Sequence, residues 1–219
     1  MSVITISGEF GSEASKTARQ VAQTLGYHYV DRVIIEKILD EYGLVQFKDM
    51  YESMPSIWTR FDTLRGSMTE MLNRTIRAVA RHGHVVIQGR GGFAVLGGFA
   101  DVLNVRIQAP LPLRVMRVMQ REGITDRAQA EAEVKQYDRV RSTFVEYSYH
   151  VPWNNTDAFN LVIDTGVVPV ERAADWIIQA HQFLAAGETT EAPRVQAIEV
   201  DKVLAGVVST ALNCTIEHD

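Results

Sequence analysis

The run Val3-Ile-Thr-Ile-Ser-Gly8-Glu-Phe-Gly11-Ser12-Glu13-Ala14-Ser15-Lys16-Thr17 constrains this chain more than any other stretch. A short β-branched apolar segment leads into a glycine-bearing turn, and an amphipathic segment starting near Ala14 follows it. That order predicts a strand, a tight loop and a helix. Amides left unpaired at a helix start converge and carry partial positive charge, so such a turn is suited to an anion such as phosphate. Set against the pattern G-x-x-x-x-G-K-[ST], Gly8 takes the first glycine, Gly11 and Ser12 lie inside the loop, and Ser15 takes the hydroxyl position. Glu13 stands where the second glycine belongs, and Ala14 where the lysine belongs. Lys16 does not refill that place directly, because two residues along a helix are about 200° of rotation.

The alternation continues beyond the loop. Residues 14–25 put Ala18, Val21, Ala22 and Leu25 on one face and stop at Gly26. A short strand is expected at 27–30, then Asp31 as the cap of a helix over 33–41. From Pro55 to His82-Gly83, Ile57, Phe61, Leu64, Met68, Met71, Leu72, Ile76, Val79 and Ala80 recur at helical spacing and predict one long helix. Residues 84–88 are almost wholly apolar, as in a central parallel strand, and open into Gly89-Arg90-Gly91-Gly92. That bend lies at a strand's carboxyl end, where open α/β sheets place ligands, so Arg90 is a candidate for gripping a phosphate. A fourth strand is expected at 101–108, helices at 111–122 and 125–149, a fifth strand at 159–165 and a helix at 170–185. Repeated βα units imply a parallel sheet.

Arg114, Arg117 and Arg121 step by three and four, so they share a helix face and repel unless an anion or an acidic partner sits among them. A mobile phosphate clamp is one reading. Phe144, Tyr147, Tyr149 and Trp153 can stack on a base or pack against the core. His28 is expected to be structural, and His150 has no evident orienting partner for acid–base work.

The chain of 219 residues, with a formal charge of −5, does not have the composition of a general nucleic-acid or membrane-surface binder. No apolar run approaches the roughly 20 residues of a membrane helix, and the start lacks a secretion signal, so a cytoplasmic location is expected. One cysteine, Cys214, excludes an intrachain disulfide. Residues 1–186 read as the main domain and 187–219 as a linker and tail, the tail docked on the domain or on a partner. The apolar stripe of the 55–82 helix, or the tail, could also support a homodimer.

Six segments carry a family resemblance: Ile-Ser-Gly-Glu-Phe-Gly-Ser, Leu-Gly-Tyr-His-Tyr-Val-Asp, Gln-Gly-Arg-Gly, Arg-Val-Met-Gln-Arg-Glu-Gly, Tyr-Asp-Arg-Val-Arg and Phe-Asn-Leu-Val-Ile-Asp-Thr. In this order the chain resembles the cytidylate-kinase-like branch of the P-loop nucleoside monophosphate kinases, from about residue 3 to 185. The resemblance implies a three-layer α/β fold, with a five-stranded parallel sheet, helices on both faces and a helical arginine-bearing lid over about 111–153. It implies ATP and Mg²⁺ as cofactors and transfer of the γ-phosphoryl group to CMP, dCMP or a similar small phosphorylated acceptor. Gly8, Gly11, Ser12 and Ser15 then match nucleotide-binding loop positions, Ser15 on the metal side, and Lys16 lies beside them. Arg90 resembles the arginine that meets the acceptor phosphate. Arg117 and Arg121 resemble lid arginines, and Asp138, Arg139 and Arg141 match the segment that closes over donor and acceptor. Asp31 matches an acidic position that orients or deprotonates the acceptor. Ala14 departs from the loop lysine, and Gly91 stands where true cytidylate kinases have Asp. The rival expectation is a nucleotide-binding or regulatory module that kept the fold and lost turnover.

Overall fold

The computed structural model describes residues 2–43, 62–186 and 191–213. Strands β1 (Val3–Gly8), β2 (His28–Val30), β3 (Val85–Gln88), β4 (Val102–Gln108) and β5 (Leu161–Asp164) form a parallel sheet in the order β2-β3-β1-β4-β5. Around it run α1 (Ala14–Leu25), α2 (Arg32–Glu41), α3 (Asp62–His82), the short α4 (Gly92–Leu96), α5 (Leu111–Glu122), α6 (Arg127–Tyr149), α7 (Val170–Ala186) and α8 (Lys202–Asn213). Strand alternation sorts the core into two layers. Ile4, Ile6, Val86, Leu103, Val105 and Ile107 pack against Ala18, Val21 and Ala22 of α1 and Ala173, Ala174 and Ile177 of α7. Val3, Val85, Ile87 and Val102 point the other way, into a cluster with Ile35, Ile38, Leu72, Ile76 and Val79. The result is the three-layer α/β fold expected, with helices on both faces.

Local chemistry sets the element ends. Asp31 Oδ1 accepts from the amides of Val33 and Ile34 and starts α2; Asp126 does the same for α6 through Ala128 and Gln129. Gly26 and Gly123 end α1 and α5 in the left-handed region, where glycine has no Cβ penalty. Predicted and observed elements agree to within a residue or two. The stretch 55–61 of the expected long helix, with Pro55, Ile57 and Phe61, lies outside the described residues, and so does Cys214.

Helices α5 and α6 form an antiparallel pair with a small core of their own, Val115, Val118, Ala130 and Val134, against which Phe10 of the loop is packed. This is the expected arginine-bearing lid, and it touches the loop directly. At the other end of the chain, α8 is capped by Asp201 and buries Leu204, Val208, Ala211 and Leu212 in the cluster that also holds residues of α2 and α3. The approach to α8 is tied down as well: the Val195 amide donates to buried Asp101, and Ala100 donates to the Pro193 carbonyl. The tail is therefore a helix docked on the domain. The described parts of the two faces expected to support a homodimer pack on each other within one chain. Among the described residues, no helix is long and apolar enough to cross a membrane.

Candidate functional site

At the carboxyl end of central strand β1 the chain turns tightly. Ser12 donates from both its amide (3.2 Å) and its hydroxyl (2.7 Å) to the Glu9 carbonyl. Gly11 (φ 81°) and Glu13 (φ 63°) are both left-handed. Two glycines are required by space: a Cβ on Gly8 would lie 2.3 Å from the Ala14 Cβ, and one on Gly11 would lie 2.8 Å from the Arg114 carbonyl. Helix α1 then begins without a side-chain cap, so its first amides have neither an intrahelical nor a side-chain acceptor. Such a turn with successive unpaired amides forms an anion-binding concavity. Ser15 and Lys16 are exposed at its rim, and Ala14 is buried. Glu13, in a conformation that favours glycine, carries a strain of about 1 kcal/mol.

The lid supplies the positive charge. Arg117 of α5 donates to the Gly11 carbonyl (3.4 Å) and to the Thr165 carbonyl (2.8 Å), and the Thr165 hydroxyl donates to the Ser12 carbonyl (2.8 Å). From α6, Arg141 reaches the Gly8 carbonyl at 3.5 Å. The Phe10 ring stacks on Tyr137 with centroids 4.3 Å apart, while Arg121 and Arg141 lie 5.0 and 5.4 Å from its centroid. Phe10 thus gathers two cations at the loop. Arg139 is exposed on α6, two residues and about 200° from Arg141, so the two do not face the loop together.

The expected clamp of Arg114, Arg117 and Arg121 is corrected in one respect: Arg114 is buried and holds the loop instead of reaching outward. It pairs with Asp138 (2.6 Å) and Glu9 (3.3 Å), and donates to the carbonyls of Ala109 and Phe10. Asp138 also accepts from the Phe10 amide (2.9 Å), so both its oxygens bind the loop and its arginine. The acidic partner that relieves the repulsion on that face is the protein's own. A fourth charge completes the network. Arg106, on the inner face of β4, lies 3.9 Å from Glu9, donates to the Trp153 carbonyl (2.7 Å) and sits 4.6 Å over the Trp153 ring. Burial lowers its pKa, and Glu9 and Asp138 oppose that shift.

On the side of β2 and β3, the Gln88 amide donates to the Ser15 hydroxyl (2.6 Å), and Gln88 accepts from the Tyr29 phenol. Burial, with Asp31 nearby, pushes the Tyr29 phenol up to about 12, which keeps it a neutral donor. Asp31, besides capping α2, pairs with Arg19 at 3.5 Å. Arg90 is buried and pairs with Glu36 of α2 at 2.6 Å; it occupies a left-handed bend at φ 54°. Next to it, the Tyr149 hydroxyl donates to Asn73 of α3 (3.0 Å). Phe144 and Trp153 of the aromatic cluster are core residues, and Tyr147 is exposed. His28 sits at the opposite end of the strands, edge-on to His82.

The structure therefore brings Gly8, Gly11, Ser12, Ser15, Arg117, Arg121, Asp138 and Arg141 together, and sets Asp31 and Arg90 on a second side. Glu9, Phe10, Gln88 and Arg106 were missed by sequence reasoning, and Tyr149 was read only as one of an aromatic cluster that stacks on a base or packs against the core. Glu9, Phe10 and Gln88 lay in motifs that could have flagged them.

A parallel sheet in this order, an anion-binding turn after its central strand and arginine-bearing helices over that turn define a phosphate-loop kinase type of fold. Comparison with known proteins narrows the class. The model of the cytidylate kinase-like family matches residues 3–167, and the chain belongs to that family. A cytidylate kinase of Ignicoccus hospitalis is 30% identical over 180 residues, which span 81% of this chain and 97% of that protein. A cytidylate kinase of Pyrococcus furiosus is 32% identical over 184 residues, 78% of this chain and 87% of that protein. Among solved structures, an uncharacterised protein from Eubacterium ventriosum superposes with a TM-score of 0.67 at 20% identity, covering 83% of this chain and 99% of that one. It shares the fold.

Proposed function

We propose that the chain is a nucleoside monophosphate kinase-like phosphotransferase, moving the γ-phosphoryl group of ATP to CMP, dCMP or a similar small phosphorylated acceptor. The observation that carries this reading is the loop at Gly8–Ala14 with lid arginines held against it. Phosphoryl transfer asks a protein for in-line positioning and for positive charge around the moving group, with little covalent chemistry. The first-turn amides of α1 would hold the donor phosphates. Arg121 and Arg141, gathered on Phe10, would supply the charge that Ala14 cannot, with Arg117 bracing the loop and Lys16 at its rim. Bound Mg²⁺ would neutralise phosphate charge; Ser15, oriented by Gln88, is the hydroxyl suited to hold it. Among the described residues no cluster of three His, Cys, Asp or Glu side chains is arranged for a metal, which fits a cation held mainly through phosphates. Arg90, backed by Glu36, would meet the acceptor phosphate, and Asp31 would orient the acceptor. Asp138 acts through the loop in this scheme.

Assays of ATP–Mg²⁺ with CMP, dCMP, UMP and AMP test the reading. Transfer to at least one acceptor is expected, and Arg141→Met lowers it by about 10²-fold. A second reading, a nucleotide-binding module without turnover, draws on Glu13 and buried Ala14, which leave the loop without its lysine. Tight nucleotide binding with no transfer to any acceptor would favour it.

A further inference from the structure

Helix α6 touches both sides of the site. Asp138 and Arg141 meet the phosphate loop, and eight residues beyond Arg141, about 12 Å along the helix, its last residue is Tyr149. The position of that tyrosine is fixed from several directions. His150 ends the helix in a left-handed conformation (φ 55°), and its amide donates to Glu146. The Glu146 carboxylate accepts from the Trp153 amide (3.3 Å), and Trp153 is held through its carbonyl and ring by buried Arg106. Phe144 lies edge-on to the Tyr149 ring at 5.9 Å.

The Tyr149 ring comes to rest over Gly91. A Cβ on residue 91 would lie 2.2 Å from Tyr149 Cε2 and 2.8 Å from Cζ, closer than real atoms approach. Gly91 also has φ 72°, so a side chain there would be strained as well as crowded by the ring. The Tyr149 hydroxyl donates to Asn73 at 3.0 Å and lies 3.5 Å from the Arg90 carbonyl. The space beside Arg90, which a side chain from position 91 would otherwise enter, is therefore filled from the lid helix.

We infer that Tyr149 is a specificity-determining residue of the acceptor side: its ring, fixed by Asn73 and delivered by the helix that grips the phosphate loop, sets which phosphorylated acceptors fit beside Arg90. The inference rests on the phosphotransferase reading above. Specificity of this kind comes from shape and from satisfied polar groups, so removing the ring changes the order of preference among acceptors, whereas removing only the hydroxyl weakens all of them together.

The test uses the full chain, Tyr149→Phe, Tyr149→Ala and Asn73→Ser, each checked for cooperative thermal unfolding. Calorimetric titrations with CMP, dCMP, UMP, AMP and ribose 5-phosphate, and separately with ATP–Mg²⁺, are paired with transfer rates. Tyr149→Ala is expected to change the ratio of affinities between two acceptors by about tenfold or more, with ATP affinity unmoved. Tyr149→Phe and Asn73→Ser are expected to keep the order and weaken acceptor binding about threefold to tenfold; they carry the test if the alanine variant does not fold. An unchanged acceptor order in a folded Tyr149→Ala chain, parallel loss of ATP binding, or unaltered acceptor binding in both conservative variants overturns the assignment. Failure of the parent chain to bind any acceptor overturns it together with the phosphotransferase reading. Binding and transfer by the parent chain with an unmoved order overturns the role of Tyr149 alone.

Discussion

Replacing Glu9 by glutamine separates the charge of that side chain from its shape. Its Oε2 accepts from the Ala109 amide at 3.1 Å and lies 3.3 Å from Arg114 Nε; its Oε1 lies 3.9 Å from Arg106 Nη2. Both arginines are buried, with side-chain exposures of 8% and 3%, so neither recovers hydration when the charge is lost. Glutamine keeps an acceptor for Ala109. Arg114 keeps Asp138, and Arg106 keeps the Trp153 carbonyl and ring. The cost therefore falls between an exposed pair, about 0–1 kcal/mol, and a fully broken buried pair, about 3–5 kcal/mol. We expect about 2–3 kcal/mol. With a urea slope of about 2 kcal/mol per molar, the unfolding midpoint falls by about 1 M. In an Arg106→Met background, where one of the stranded charges is gone, the same substitution costs less, by about 1 kcal/mol or more. A cost below about 0.5 kcal/mol in the parent chain, or strict additivity of the two changes, would show that the four charges do not act as one network.

Two further outcomes are expected. His28 and His181 have lowered pKa values, in both cases chiefly through burial; positive charge adds to it, from His82 and His84 at His28 and from the chain's amino terminus and then His84 at His181. Unfolded histidines protonate near 6.5 while these resist, so stability is complete above that value and is lost as pH falls from 6.5 towards the lower folded values. Urea midpoints should drop between pH 7.5 and 5.5, and His181→Gln, which removes the ring bonded to Ser2 and Tyr27, should flatten the drop; a flat profile in the parent chain contradicts this. Glu13→Gly relieves a left-handed non-glycine residue and makes the unfolded chain more flexible, for a net gain of up to about 0.5 kcal/mol. It also removes a carboxylate from the loop, so ATP–Mg²⁺ affinity measured by calorimetry should rise; weaker binding would mean that Glu13 helps to hold the ligand.

Much of the fold was legible because its signals are local. Val3-Ile-Thr-Ile followed by Gly8 reads as a buried strand running into a turn, and Asp31, Asp126, Gly26 and Gly123 mark helix ends by chemistry that acts within a few residues. The site was legible as far as motifs reach, at Gly8, Gly11, Ser15 and Arg90, and through the resemblance at Arg117, Arg121 and Arg141. What stayed hidden depends on distant partners. Arg106 reads as an ordinary outward residue of an alternating strand, yet its face is covered by Trp153, nearly fifty residues later. Arg114 shares a helix face with Arg117 and Arg121, and only the positions of Glu9 and Asp138 turn it inward. Gln88 ends a run that is otherwise almost wholly apolar, and its contact with Ser15 appears only once β3 lies beside β1. The crowding of Gly91 by Tyr149 has no local signature, because a glycine in a bend already has a sufficient explanation in its dihedral angle.

The most direct test of the central claim is a single-turnover experiment with γ-labelled ATP, Mg²⁺ and a monophosphate acceptor, comparing the parent chain with Arg141→Met. Label appearing on CMP, dCMP or another panel acceptor, at a rate about 10²-fold lower in the variant, is the predicted result. Nucleotide bound stoichiometrically with no label reaching any acceptor would contradict it.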